Sequence, residues 1–364
     1  MKNELEFWLR LSSLEGLSIQ IKLELITVLG GAANVYEADS ATLMRLGLTP
    51  QQFQIYHSDA LKLGVQQIIE LCKERNIKIL TLSHEEYPEM LKYIPDPPLV
   101  LYVRGHIPKS NAIAVVGSRK ASGYGIETAV KLSSELALSG ILVVSGMARG
   151  IDTAAHCGAL NAGYETVSVL GCGVDKPYPP ENRALMDRII QSGAVISEYP
   201  PGTPPTNFHF PARNRIISGM SLGTLVVEAG IKSGSLITAN CALDQGREIF
   251  AVPGDITHFN SMGTNRLIKD GAKIVLNVDD IIDELNFGFA PLGREKKKKR
   301  GSSTDRIGTE GKKIINALKI EDLYDEELAI KTCIQLKDLF EILLDLELKG
   351  LVKKSLTGKY RLLA

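Results

Sequence analysis

Apolar and polar positions change period along the chain, and each change predicts a different kind of element. Up to residue 75, apolar residues recur at helical spacing, as in Leu23, Ile26, Val28 and Leu29. Turns fall at Gly16, at Gly30-Gly31 and at Leu46-Gly47-Leu48-Thr49-Pro50. The pattern predicts a domain of short helices over 1–75. A helix, a glycine-containing turn and a second helix admit two readings. One is a small helical packing module. The other is a helix-hairpin-helix or SAM-like fold whose turn amides meet a DNA backbone. The module is the simpler reading, because such hairpins arise easily by chance.

Residues 76–104 connect this part to the next. Strands are expected at 77–82 and 99–103, and Pro95, Pro97 and Pro98 stop any helix between them. From 112 to about 285, runs of Val, Ile and Leu alternate with helical segments. Runs at 112–116, 141–144, 167–170 and 222–228 each end in a glycine-rich turn: Gly117-Ser118-Arg119, Ser145-Gly146, Gly171-Cys172-Gly173, and the stretch from Ala229 to Ser235. Further strands are expected at 194–196, 248–252 and 272–276. Helices are expected at 124–139, 151–162, 181–191, 234–245, 263–269 and 279–285. Strands that are apolar on both faces predict an α/β fold, a Rossmann-like, doubly wound and mostly parallel sheet within a domain at 76–287. The turns then line its carboxyl edge, where ligands bind.

Residues 288–306 read as a polar linker. The block Lys296–Arg300 favours extension, as a solvated tether or as a contact to a polyanion. Residues 307–364 show helical patterns at 311–318, 326–332 and 336–349, then a hairpin signal at Thr357-Gly358. Three helices and a hairpin describe a winged helix. Its third helix carries Asp338, Glu341, Asp345 and Glu347 against Lys337 and Lys349. An acidic helix reads a major groove poorly, so this unit is expected to be an interaction module.

Composition narrows the function classes. Formal net charge is +0, so only a local patch can serve a polyanion. The five cysteines form no C-x-x-C, which argues against a disulfide framework or a zinc ribbon and makes a reducing cytoplasm the expectation. The start, Met1-Lys2-Asn3-Glu4, is charged where a secretory signal needs an apolar stretch, and no apolar run reaches membrane-spanning length.

The turn from Gly117 to Gly125 follows a strand and opens a helix, but it departs from G-x-G-x-x-G at the second glycine, and no acidic residue ends the next strand. It is not a Walker A sequence. What remains is a phosphate cradle of amides, Ser118 and Arg119, or a tight turn that binds nothing. The segment Phe208-His209-Phe210-Pro211-Ala212-Arg213-Asn214-Arg215 favours the cradle, since arginines neutralise phosphates and an aromatic stacks on an unpaired base. Phe208 and Phe210 also suit core packing, although Pro211 and the Pro-rich stretch before it suggest a surface excursion. Lys232-Ser233-Gly234-Ser235 opens another helix and suits an anion. Arg119, Arg213, Arg215 and Lys232 are expected to gather on one sheet edge.

Candidate catalysts are weak. Asp152, Asp175, Glu198, Glu228, His156 and His209 fall near strand ends or helix starts, with Asp152 more simply a helix cap. Cys172 is flanked by glycines that suit close packing better than nucleophilic attack. No Ser/His/Asp set and no metal-spaced cluster is present, so no catalytic residue, metal or cofactor is expected.

The ordered motifs carry a resemblance. Ser145-Gly146-Met147-Ala148-Arg149-Gly150-Ile151-Asp152, Phe210-Pro211-Ala212-Arg213-Asn214-Arg215, Ser233-Gly234-Ser235 and Gly263-Thr264-Asn265, with Tyr87-Pro88 upstream and Gly358-Lys359-Tyr360-Arg361 downstream, resemble the bacterial DprA/Smf DNA-processing family. The resemblance implies a protein of natural transformation that binds and protects incoming single-stranded DNA and helps load the RecA recombinase. It also implies a homodimer formed through the Rossmann-like core, and no catalytic activity. By position it assigns DNA binding to Gly117, Ser118, Arg119, Ser145, Gly146, Phe210, Arg213, Asn214, Arg215, Lys232, Ser233, Gly234 and Ser235. A competing reading is an enzyme similar to nucleotide phosphoribohydrolases on a related core. Their P-G-G-x-G-T-x-x-E turn is replaced here by Glu228-Ala229-Gly230-Ile231-Lys232-Ser233-Gly234-Ser235. A third, a nucleotide sensor, requires tight mononucleotide binding without turnover.

Overall fold

The computed structural model describes residues 4–285, 309–319, 321–332, 334, 336–348, 351–355 and 358–363. The expected linker at 288–306 with its Lys296–Arg300 block lies outside them, as do Lys349, Thr357 and the side chain of Lys337. The chain divides into two compact units, Met1–Leu292 and Gly293–Ala364.

The first unit begins with helices α1 (Glu4–Ser12), α2 (Ile19–Leu29), α3 (Ala32–Glu37), α4 (Ser40–Arg45), α5 (Pro50–His57) and α6 (Asp59–Glu74). Side-chain caps set their starts. Ser18, Asp39 and Ser58 accept backbone N–H bonds at the N-termini of α2, α4 and α6, and Thr49 with Gln52 forms a capping box on α5. Gly30, in the left-handed region at φ 80°, ends α2.

Among the described residues nine strands then form one sheet: β1 (Lys78–Thr81), β2 (Val100–Gly105), β3 (Ala112–Val116), β4 (Leu142–Ser145), β5 (Thr166–Leu170), β6 (Ala194–Ser197), β7 (Gly223–Val226), β8 (Glu248–Ala251) and β9 (Lys273–Ile274). Their order is β1-β2-β6-β5-β4-β3-β7-β8-β9. Pairing is antiparallel at β1–β2 and β2–β6 and parallel everywhere else in this sheet. The mixed α/β fold with a mostly parallel central sheet is thus the one the apolar runs predict.

Helices α7 (Glu89–Lys92), α8 (Gly123–Leu138), α9 (Ile151–Asn161), α10 (Arg183–Ser192), α11 (His209–Gly219), α12 (Ser235–Asp244), α13 (Met262–Lys269) and α14 (Asp279–Glu284) fall between and after the strands. Strand periodicity sorts the core into layers. Ile113, Val115, Val143 and Leu225 pack with Leu132, Leu136 and Ala155 from α8 and α9. Their sequence neighbours Ala114, Val116, Val144 and Val226 face the other way, onto Ile216, Ile217, Ala239 and Ala242 from α11 and α12. A third cluster joins Phe7, Trp8 and Leu11 of α1 to Val100, Leu170 and Val195 of the sheet. The amino-terminal helices and the sheet therefore share one continuous apolar core.

The second unit holds α15 (Thr309–Leu318), α16 (Asp325–Thr332) and α17 (Leu336–Leu348), then an antiparallel pair of β10 (Val352–Lys354) with β11 (Tyr360–Leu362). Ile314, Leu328, Leu339, Leu343, Val352 and Tyr360 form its core.

Candidate nucleic-acid interface

Strand order reverses at β3. The chain winds from β3 through β4 and β5 to β6 on one side and from β7 through β8 to β9 on the other. The loops after β3 and β7 therefore part at their carboxyl ends and leave a crevice at this switch point. A cavity of about 550 Å³ occupies it. Its lining includes Gly117, Ser118, Arg119 and Lys120 from the β3–α8 turn, Phe210, Arg213 and Asn214 from α11, and Lys232, Ser233, Gly234 and Ser235 from the β7–α12 turn.

The two turns are tied to each other. Ser118 N–H donates to the Glu228 carbonyl at 2.7 Å. The buried Glu228 carboxylate accepts from Ser122 N–H at 2.9 Å, from the Ser122 hydroxyl and from Asn260 Nδ2 at 3.3 Å. Ser122 caps α8. Gly117 has no room for a side chain, since a Cβ there would stand 2.5 Å from Ile151 and 2.9 Å from the Glu228 carbonyl oxygen. Of the helices that open at this edge, α9 and α12 bring first-turn residues, Asp152 and Ser235, into the lining, and α12 starts at Gly234 without a side-chain cap.

The charged residues of the lining are mostly cations. Arg119, Lys120, Arg213 and Lys232 face one carboxylate, Asp152. Arg119, Lys120 and Lys232 are exposed. The Arg119 guanidinium carbon lies 5.2 Å from the centroid of the Phe210 ring. That ring stacks on Tyr178 at a centroid separation of 5.3 Å. Arg213 is buried, donating to the Gly146 carbonyl at 2.8 Å and to the Val169 carbonyl. Burial lowers its pKa from the usual arginine value. Gly146 is required by this arrangement, because a Cβ there would collide with the guanidinium. Burial also raises Asp152 to about 6, against the opposing pull of Arg213 and Arg119. Next to this loop Met147 adopts a left-handed φ of 55°, its carbonyl held by Asn182 at 2.9 Å.

The structure brings together Gly117, Ser118, Arg119, Phe210, Arg213, Asn214, Lys232, Ser233, Gly234 and Ser235, and separates three expected residues from them. Ser145 is fully buried and donates its hydroxyl to the Val115 carbonyl at 2.6 Å. Gly146 stands behind Arg213 and borders a smaller cavity of about 30 Å³ beneath Arg119 and Phe210. Arg215 is the clearest correction to the expected gathering of four cations. It pairs with Glu198 at 2.7 Å and Asp96 at 3.1 Å and does not line the cavity.

The weak catalytic candidates are engaged elsewhere. Asp175 accepts from Gly202 N–H at 2.8 Å and pairs with Arg75. His156 is buried against Thr166 at 2.8 Å, and burial drives its pKa down to about 3, so its ring is neutral. His209 stacks on Tyr199 at 3.9 Å. Cys172 is buried with its thiol pushed up to about 11. Asp152 sits in the first turn of α9 rather than at its cap and accepts from Ala148 N–H at 3.3 Å. Among the described residues no group of side chains is placed to hold a metal ion. No helix among them is long and apolar enough to cross a membrane.

Sequence reasoning missed α11, where Pro211 and the Pro-rich stretch before it suggest a surface excursion, and the Phe259–Ser261 turn, whose Phe259 and Asn260 line the cavity. The signal for the second was available in Phe259-Asn260, an aromatic and an amide just before the expected helix at 263–269.

The family model described as DNA recombination-mediator protein A matches residues 78–286. Protein Smf of Escherichia coli (strain K12) is 39% identical over 78% of this chain and 76% of its own length. The X-ray structure of DNA processing protein A from Streptococcus pneumoniae is similar with a TM-score of 0.68 and 36% identity, covering 78% of this chain and 98% of that one. A structure of DNA processing protein A from Helicobacter pylori, described for its single-stranded DNA binding mode, is similar with a TM-score of 0.51 and 30% identity, covering 57% of this chain and 95% of that one.

Proposed function

This chain belongs to the DNA recombination-mediator protein A family, and on that premise we propose that it binds and protects single-stranded DNA during natural transformation and promotes loading of RecA onto it. The crevice at the β3/β7 switch point is the binding site. The observation that carries the reading is the exposed Arg119 lying over Phe210 at the rim of the cavity. A cation that meets a phosphate beside a ring that meets a base suits a polymer of nucleotides, and neither contact selects a sequence. Lys120 and Lys232 extend the positive rim, and the uncapped start of α12 offers backbone amides.

The protein acts as a mediator rather than an enzyme. In support, Glu228, the acidic residue nearest the turn that a phosphoribohydrolase would use, is occupied by Ser122 and Asn260. The second unit, with three helices and a hairpin, serves as a winged-helix interaction module. The protein works as a homodimer through its Rossmann-like core.

Competition binding at two salt concentrations tests the function. A single strand should displace a labelled single strand far better than duplex or mononucleotide does, and binding should weaken steeply with salt. Release of free base from a nucleoside monophosphate, or equal competition by a mononucleotide, would overturn it.

A further inference from the structure

Phe259 is the largest exposed apolar side chain in the cavity lining that the charge-based reading leaves unused. The residue is 66% exposed although it belongs to a well-tethered turn. Exposure of an aromatic usually accompanies a loose segment, but this segment is held at several points. Asn260 accepts from Ala229 N–H at 2.7 Å through its carbonyl. Its side-chain amide donates to the Lys120 carbonyl at 2.8 Å and to Glu228. Ser261 N–H donates to the His258 carbonyl at 3.0 Å, and Gly263 N–H to the Ala229 carbonyl at 2.7 Å. The ring also has a built seat, since a Cβ on Gly230 would stand 2.5 Å from it. One edge of the ring therefore packs against bare backbone of the β7–α12 turn while most of its surface faces solvent.

Phe210 rises into the same cavity from α11, on the other side of the β7–α12 turn in the sequence and beside Arg119. The cavity thus has an aromatic on two separate elements, with Lys120 and Lys232 among its lining cations. We infer that Phe259 is a second base-stacking platform, taking an unpaired nucleobase next to the one that Phe210 takes. The inference rests on the single-stranded DNA reading above and adds a residue to it. A fixed ring needs no ordering on binding, so its stacking is realised with little entropic cost. Stacking of this kind contributes through the base faces and leaves the phosphate contacts untouched.

These properties define the test. Affinity for a labelled thymidine oligonucleotide is measured for wild type and Phe259→Ala across a salt series. Truncation should weaken binding about 5- to 150-fold, the range of one lost base–aromatic stack. The slope of log affinity against log salt should not change, because no cation is removed. Phe259→Trp gives an independent readout, since the natural chain has one tryptophan, Trp8, which is buried among the amino-terminal helices. Its added emission should be quenched by the oligonucleotide and not by a strand of abasic nucleotides. Unchanged affinity in Phe259→Ala, with wild type binding normally, overturns the platform and leaves the single-stranded DNA reading standing. Failure of the wild-type chain to bind the oligonucleotide overturns the reading itself.

Discussion

Arg119 lies over the ring of Phe210, its guanidinium carbon 5.2 Å from the ring centroid, and the two come from different elements, the β3–α8 turn and α11. Free protein therefore already orders the pair that contacts phosphate and base in our account. Phe210→Ala should weaken single-stranded DNA binding about 5- to 150-fold through loss of stacking, and should leave the salt dependence nearly unchanged. Fluorescence anisotropy across a salt series checks both.

Glu228 is a structural brace in this arrangement. It joins the β3–α8 turn to the Asn260 segment while buried. Glu228→Ala leaves Ser122 and Asn260 without their charged acceptor and should cost about 2–3 kcal/mol in urea unfolding. DNA affinity should fall with it, since both turns line the cavity.

Arg215 gives the opposite outcome. Its charge is spent on Glu198 and Asp96. Arg215→Ala should destabilise the protein by roughly 1–3 kcal/mol, less than for a fully buried pair because Asp96 is partly solvated. Once folded, the variant should bind DNA with the wild-type salt slope, because no phosphate contact is lost.

Asp152 predicts a pH dependence. Burial raises its pKa in the folded state to about 6, above that of an unfolded chain near 3.8. Its stabilising contribution is therefore complete below about 4 and is lost as pH rises through about 6. Protonation also removes the one carboxylate of the cavity lining, so single-stranded DNA affinity should rise as pH falls through 6. Asp152→Asn should flatten that component of both the stability and the affinity profiles. A variant with the wild-type profile would show that another group titrates.

Much of the architecture was legible because buried parallel strands have a simple signature. Residues 112–116, 142–145 and 166–170 are apolar or buried on both faces, and the pattern alone implies helices on both sides. The arginine geometry was not legible for a definite reason. Pro211 and the Pro-rich stretch before it suggest a surface excursion, but Pro211 lies in the first turn of α11, where a missing N–H costs no hydrogen bond. Once the segment is a helix, Arg213 and Arg215 are two residues apart and point to different faces. Arg213 then reaches the cavity while Arg215 turns to Glu198. Ser145, which the resemblance assigns to DNA binding, ends a buried strand, and its hydroxyl closes onto Val115. Asn260 escaped notice because its role depends on contacts 140 residues away, with Lys120, that no local pattern encodes.

The salt dependence of single-stranded DNA binding by Arg119→Ala tests the central claim most directly. The account predicts weaker binding to every sequence and a salt slope shallower than wild type by about 0.7, the value for one phosphate contact on a single strand. Wild-type affinity and slope in that variant would show that DNA does not pass through the β3/β7 crevice.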